Sequence, residues 1–307
     1  MQVCCVGADR LDHAQGYNVL LWKEGVLDAL EDKLARSIFS RLCPQGSPLM
    51  VDVGANIGRA LPLDAPPQQV APGRLSAAGA HAERPGRWYS LLALAHGCRV
   101  VAIEAGADHL ANLNMSLALN GWLDRARLYH AVASGDREVT FNGWNAVSGE
   151  QPQGYSGHHD GRGKSFASQT PVALDDVVDE EVAYLKVDVE SHEPSVFRSA
   201  RRLVEGRRVK YVLFEWTYFL GGKYHFSAYA EDVLGPLFAA RYRCFLAEAG
   251  DLRAEISADT LPLAVKRLHA YCMRLNAGAQ QRWCIINVIC MRDDQEAPLD
   301  APLITEA

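Results

Sequence analysis

The chain has 307 residues, 49% hydrophobic and 22% charged, with a formal net charge of -6. That balance belongs to an ordinary globular protein, most simply one large, elaborated domain. Lys and Arg are scattered through a net-acidic chain, which recommends neither nucleic acid nor an anionic membrane as partner, and no run of about twenty apolar residues predicts a transmembrane helix. The opening MQVCCVGAD lacks the basic flank and long apolar core of a secretory signal. The eight cysteines form no CxxC pair and several sit in apolar runs, so they read as reduced thiols, with the cytosol (cytoplasmic) as default compartment.

Residues 1–48 read as an N-terminal helical segment. From Val26 onward Leu27, Leu30, Leu34, Ile38, Phe39 and Leu42 recur at three- and four-residue spacing, and Pro44, Gly46 and Pro48 end the helix. Leu49 to Val53 is a short apolar run suited to a buried strand, and it enters the loop VDVGANIG. Gly54, Asn56 and Gly58 tolerate positive φ, and a strand–glycine loop–helix unit brings backbone N–H groups up to an anionic or polar ligand. A plain strand-to-helix turn would use the same residues. Gly58 is followed by Arg59-Ala60 rather than Lys-Ser or Lys-Thr, and the loop is not GxGxxG, so neither a phosphate loop nor a dinucleotide fingerprint fits.

Residues 60–87 are crowded with Pro, Ala, Gly and Gln and keep no period, which reads as a disordered insertion. It is either a genuine loop or an error of the gene model. Joining Gly58-Arg59 to Trp88 restores a continuous strand–loop–helix–strand unit, with Trp88, Leu91, Leu92, Leu94 and Ala95 on a helix that stops at Gly97. The strand RVVAI then ends in Glu104, and with the insertion set aside Glu104 follows Asp52 by about 24 positions, close to the spacing of a ribose-binding acidic residue.

His109 to Asn120 predicts a helix with Leu110, Leu113, Leu117 and Leu119 inward, and Arg127 to Ala133 a third strand with His130 as a packed core histidine. Glu138–Phe141 and Ser168–Leu174 look like paired strands around a polar loop, 142–165, whose His158-His159-Asp160 lacks the further ligands of a metal site. Ala183 to Val189 is the next strand. Lys186, Asp188, Glu190, His192 and Glu193 crowd at and beyond its end, where open α/β sheets bind ligands, and such charges are costly to bury unless paired or used. Val209 to Phe214 is another strand, followed by Glu215-Trp216. Ala228–Leu237 and Leu263–Leu275 read as helices, Arg241–Leu246 and Trp283–Cys290 as strands, and 293–307 as a loose tail.

VDVGANIG resembles the first motif of class I S-adenosylmethionine-dependent methyltransferases, in the form typical of the FkbM family. LKVDVESHEPSVFRSARRLV resembles that family's second hallmark, commonly LKIDVEGHE, with Ser191 and Ser199 where glycines are usual. A non-glycine residue at a positive-φ turn costs on the order of 1 kcal/mol. The resemblance runs from Leu49 to about Trp216 and implies a seven-stranded, mostly parallel Rossmann-like sheet with helices on both faces, spanning residues 49–292. It implies S-adenosyl-L-methionine as cofactor, with Asp52, Gly54, Asn56, Gly58, Glu104, Ala133, Ser134 and Asp188 as binding residues. It further implies O-methylation of a hydroxyl-bearing sugar or other small molecule, with His192 and Asp188 as catalytic candidates and no metal. The alternatives are an inactive methyltransferase-like binding protein and, on the Rossmann-like start alone, a nicotinamide-dependent dehydrogenase.

Overall fold

A computed structural model describes residues 30–55, 89–136, 139–141, 146–148, 167–189, 191–219, 229–248, 251–275 and 283–295. Asn56, Gly58, Glu190, the 60–87 insertion, the 158–160 cluster and tail residues 296–307 lie outside the described residues. The start of the expected loose tail is instead tied down, Asp293 pairing with Arg207 and Arg241 and Asp294 with Arg292.

Helix α1 (Leu30–Leu42) buries Leu34, Ala35, Ile38 and Phe39, one stripe of an amphipathic helix, and a short 3₁₀ turn through Cys43–Gln45 stops it at Gly46. Strand β1 (Leu49–Val53) is buried throughout, as a central strand covered on both faces must be. Then come α2 (Tyr89–Ala95), β2 (Arg99–Glu104), α3 (Ala107–Leu119), β3 (Ala126–His130) and β4 (Val132–Ala133). An excursion of short strands follows, β5 (Val139–Phe141), β6 (Ala146–Ser148), β7 (Ala167–Gln169) and β8 (Pro171–Val172), then α4 (Leu174–Val177). The second half carries β9 (Val182–Val187), α5 (Glu193–Ser199), α6 (Arg201–Glu205) and β10 (Val209–Phe219). A π-helical turn (Tyr229–Leu234) leads into α7 (Gly235–Ala239), and the chain closes with β11 (Tyr242–Glu248), β12 (Asp251–Ile256), α8 (Leu261–Leu275) and β13 (Trp283–Arg292).

The main sheet has the order β12-β11-β13-β10-β9-β1-β2-β3. Neighbours from β10 to β3 pair in parallel, while β13 is inserted antiparallel between β10 and β11. Alternate residues of β1 feed opposite cores: Val51 and Val53 pack with α4, α5 and α6, Met50 with α1 and α2. The expected seven strands become eight, because β12 adds an antiparallel edge strand to β11.

Four sequence expectations change. Leu119 is 46% exposed, since a helix cannot turn both Leu117 and Leu119 to the same face two residues apart. The third strand breaks at Ala131 into β3 and β4, and β4 leaves the main sheet to pair with β8. His130 is exposed rather than a core histidine, because β3 is the sheet's edge; its Nε2 lies 3.2 Å from the Ala105 carbonyl oxygen. The free-thiol reading fails for four cysteines, which form Cys43–Cys98 and Cys244–Cys290 disulfides. Cys244 and Cys290 lie directly opposite in the β11–β13 register, a proximity created by strands far apart in sequence. The argument for a reducing compartment built on those thiols therefore falls away.

Candidate active site at the strand tips

The tips of β2, β1 and β9 are laced together through their backbones. Gly54 N–H donates to the Ile103 carbonyl of β2 at 2.9 Å, and Asp188 N–H donates to the Val53 carbonyl of β1 at 3.1 Å. Gly54 takes φ 73°, and a Cβ there would lie 1.9 Å from the Asp188 carbonyl oxygen. Both the backbone conformation and the close approach require glycine.

Beneath this junction sits Lys186, 1% exposed. Its Nζ donates to the Gly54 carbonyl at 2.6 Å, and lies 3.3 Å from Asp52 Oδ1 and 3.6 Å from Asp188 Oδ2. Asp52 is fully buried, and its Oδ2 accepts from the backbone N–H (3.2 Å) and hydroxyl (2.6 Å) of Ser90 in the first turn of α2. One ammonium thus serves two carboxylates, the arrangement a buried cation needs to offset its desolvation. Asp52 faces inward, whereas the Asp188 side chain remains partly open at the tip. At the tip of β2 the buried Glu104 accepts from Gly106 N–H at 2.7 Å, with His109 Nδ1 3.6 Å from the same oxygen.

A second cluster forms where β4 meets α5. Ala133, Ser134 and His192 are all buried, and His192 Nε2 lies 3.3 Å from Ser134 Oγ. Ser134 Oγ lies 2.7 Å from Ser195 Oγ, and the Ser195 hydroxyl donates to Asp136 Oδ2 at 2.6 Å. Arg198 then bridges Asp136 (2.9 Å) and Asp232 (2.6 Å) at the surface. Burial lowers the His192 pKa to about 4, against a smaller opposing pull from Asp136. Burial would raise Asp136 too, but the Ser195 hydroxyl and the Arg198 guanidinium outweigh it and hold its carboxyl below the usual range.

Next to His192, Glu193 is wholly buried. Its Oε1 accepts from Val189 N–H at 3.0 Å, Tyr229 hydroxyl contacts its other oxygen, and burial raises its pKa to about 8 despite those bonds. Ser191, in the turn between Val189 and His192, takes φ 81°, the strained backbone that its place in a glycine position implies.

The structure therefore brings Asp52, Gly54, Glu104 and Asp188 to adjacent strand tips, and gathers Ser134 with His192 around a separate hydroxyl cluster. Ser90, His109, Asp136, Ser195 and Tyr229 were not singled out from the sequence. Ser195 lies inside the second hallmark and Asp136 ends the turn after β4, but serine and aspartate in turns are too common to signal a partnership 59 residues apart. Among the described residues, no group of three or more His, Cys, Asp or Glu is placed to hold a metal ion, and no helix is long and apolar enough to cross a membrane.

A mostly parallel sheet with one antiparallel insertion, a glycine at the first strand's tip and carboxylates on the neighbouring tips define a Rossmann-like methyltransferase fold. The FkbM methyltransferase domain matches residues 52–250, and the chain belongs to that family. Among solved structures, an FkbM methyltransferase from Methylobacillus flagellatus KT is similar at 17% identity and a TM-score of 0.40, over 67% of this chain and 41% of that one. The match thus spans less than half of that relative. SMU.1697c of Streptococcus mutans, described as a candidate methyltransferase and solved in complex with SAH, is similar at 8% identity and a TM-score of 0.40, over 84% of this chain and 96% of that one. Residues 961–1257 of StiE O-MT match at 8% identity and a TM-score of 0.38, over 86% and 75%. A search of curated proteins gives no match.

Proposed function

We propose that the chain transfers a methyl group from S-adenosyl-L-methionine to a hydroxyl of a sugar or other small molecule. The observation that carries this reading is the set of carboxylates Asp52, Glu104 and Asp188 at three neighbouring strand tips, in a chain of a methyltransferase family. S-adenosylmethionine presents a sulfonium, an ammonium and two ribose hydroxyls, which are the partners carboxylates take. Glu104 would accept from the ribose hydroxyls and Asp188 from the ammonium. Asp52, held by Ser90 and Lys186, would shape the loop carrying Gly54, Asn56 and Gly58, and Ala133 and Ser134 would border the adenine.

The bound cofactor supplies an already activated methyl group, so the protein's share is placement of the acceptor and removal of its proton. His192 is the proposed base and Asp188 the second candidate. Burial keeps the imidazole neutral at physiological pH, though a weaker base than an ordinary histidine. A developing alkoxide beside the ring and the Asp136 carboxylate behind it both favour the imidazolium as the proton moves. The net-acidic composition of the chain favours a small molecule over nucleic acid or membrane.

The test is methyl transfer from labelled S-adenosylmethionine to a panel of sugars and other small hydroxyl compounds. His192→Ala and Asp188→Asn should each lower turnover on the order of 100-fold. Full turnover by both variants would overturn the catalytic assignment. A folded chain that binds no S-adenosylmethionine would instead be a methyltransferase-like binding protein.

A further inference from the structure

The hydroxyl cluster behind His192 has three oxygens and only two hydrogens to share among them. The Asp136 carboxylate accepts and cannot donate. Ser195 lies 2.6 Å from it, a short separation that requires the Ser195 hydrogen. Ser195 therefore has no hydrogen left for Ser134, yet the two oxygens are 2.7 Å apart, so Ser134 must donate to Ser195. Ser134 also accepts from Asp136 backbone N–H at 3.0 Å. With its one hydrogen committed, Ser134 can meet His192 Nε2, 3.3 Å away, only as an acceptor.

The other assignments each leave a short contact without a hydrogen. If Ser134 donated to His192, the 2.7 Å contact with Ser195 would hold none. If Ser134 donated to Asp136, 3.4 Å away, and Ser195 to Ser134, the 2.6 Å contact between Ser195 and Asp136 would be bare. Both would be repulsive pairs of oxygens, the first buried and the second partly so.

We infer that Ser134, Ser195 and Asp136 are positioning residues that lock His192 in its Nε2–H tautomer and leave Nδ1 as its basic nitrogen. The Arg198 guanidinium anchors the far end, because its pairing with Asp136 keeps that carboxyl ionised and thus acceptor-only. Direction runs one way along the chain: His192 to Ser134, Ser134 to Ser195, Ser195 to Asp136. The relevance of the lock to catalysis rests on the proposed role of His192 as base, since a base needs its bare nitrogen turned to the acceptor. In this account the hydroxyl of Ser134 serves His192, and any contact of residue 134 with adenine falls to its other atoms.

The experiment is nitrogen-15 NMR of the full chain with labelled histidine at neutral pH, which reads the protonated nitrogen of each imidazole without cofactor or acceptor. His192→Gln identifies the resonance. The wild type should show His192 wholly as the Nε2–H form, and Ser134→Ala, which removes the oxygen facing the ring, should give a mixture of both neutral forms. An Nδ1–H form in the wild type would overturn the inference, as would an unchanged Nε2–H population in Ser134→Ala. Ser195→Ala keeps the Ser134 oxygen but frees its hydrogen, so a partial shift toward the Nδ1–H form is expected there, and none would contradict the relay. In the transfer assay Ser134→Ala should lower kcat roughly ten-fold, with the KM for S-adenosylmethionine within about two-fold of wild type. Full transfer by His192→Ala alongside a locked Nε2–H tautomer would remove the base assignment and leave the relay standing.

Discussion

Two buried polar clusters lie at the same end of the sheet, beyond its strand tips, and they solve the cost of burial in opposite ways. Around Lys186 the charges are kept and paired: one ammonium lies between Asp52 and Asp188 and also binds the Gly54 carbonyl. Around His192 and Glu193 charge is suppressed, because burial lowers the histidine to about 4 and raises the glutamate to about 8. The first arrangement suits a fixed scaffold, since an ion pair under a loop holds one geometry. The second suits groups that exchange protons, since a neutral imidazole can accept one. Proximity to the strand tips alone does not tell the two apart; the partners do.

The largest effect should come from breaking the scaffold. Gly54→Ala forces a Cβ to within 1.9 Å of the Asp188 oxygen at a positive φ. It should cost about 3 kcal/mol or more and abolish cofactor binding, read by chemical denaturation and calorimetry. Lys186→Met leaves Asp52 and Asp188 together without their cation and should cost about 3 kcal/mol. If the charge pairing is the cause, Lys186→Met with Asp52→Asn should recover part of that loss. Additive losses in that double mutant would show that the lysine acts only by packing.

The two groups held neutral, His192 and Glu193, should reveal themselves through pH. The folded pKa of Glu193 lies above its ordinary 4.5, so the folded chain holds this proton between 4.5 and about 8 and stability falls with rising pH there. His192 has the reverse sign: its folded pKa of about 4 lies below 6.5, so its contribution is full above 6.5 and is lost as pH falls toward 4. The two slopes oppose each other between 4.5 and 6.5, which leaves Glu193 alone to lower stability from 6.5 to 8. That decline should reach up to about 1.4 kcal/mol per pH unit and should vanish in Glu193→Gln. The smallest effect belongs to the turn between the clusters. Ser191→Gly relieves a φ of 81° and should stabilise the fold by about 0.5 kcal/mol, after the added freedom of the unfolded chain is set against it.

The comparison also explains what the sequence made legible. The apolar runs of β1, β2 and β9, Gly54 and the acidic tip of β2 are contiguous signals, and the structure does bring those residues to neighbouring strand tips. Lys186 and Asp188 stood out because charge inside an apolar strand needs a partner. The partners themselves were hidden: Ser90 follows the long insertion, and Ser195 reaches Asp136 across 59 residues. The cystines failed for the same reason, since apolar context argues for a buried thiol but says nothing about which cysteine lies opposite. His130 misled because a histidine mid-strand looks the same in sequence whether the strand is central or at the edge. β12 went unread, for LRAEI has only a short alternation that a turn could equally carry.

The most direct test of the central claim is a calorimetric titration of S-adenosylmethionine into the full chain and into Glu104→Ala. The account expects one site per chain, with affinity reduced on the order of ten-fold or more when the carboxylate at the β2 tip is removed. No binding to a folded wild-type chain, or equal binding to both proteins, would contradict a cofactor site at these strand tips.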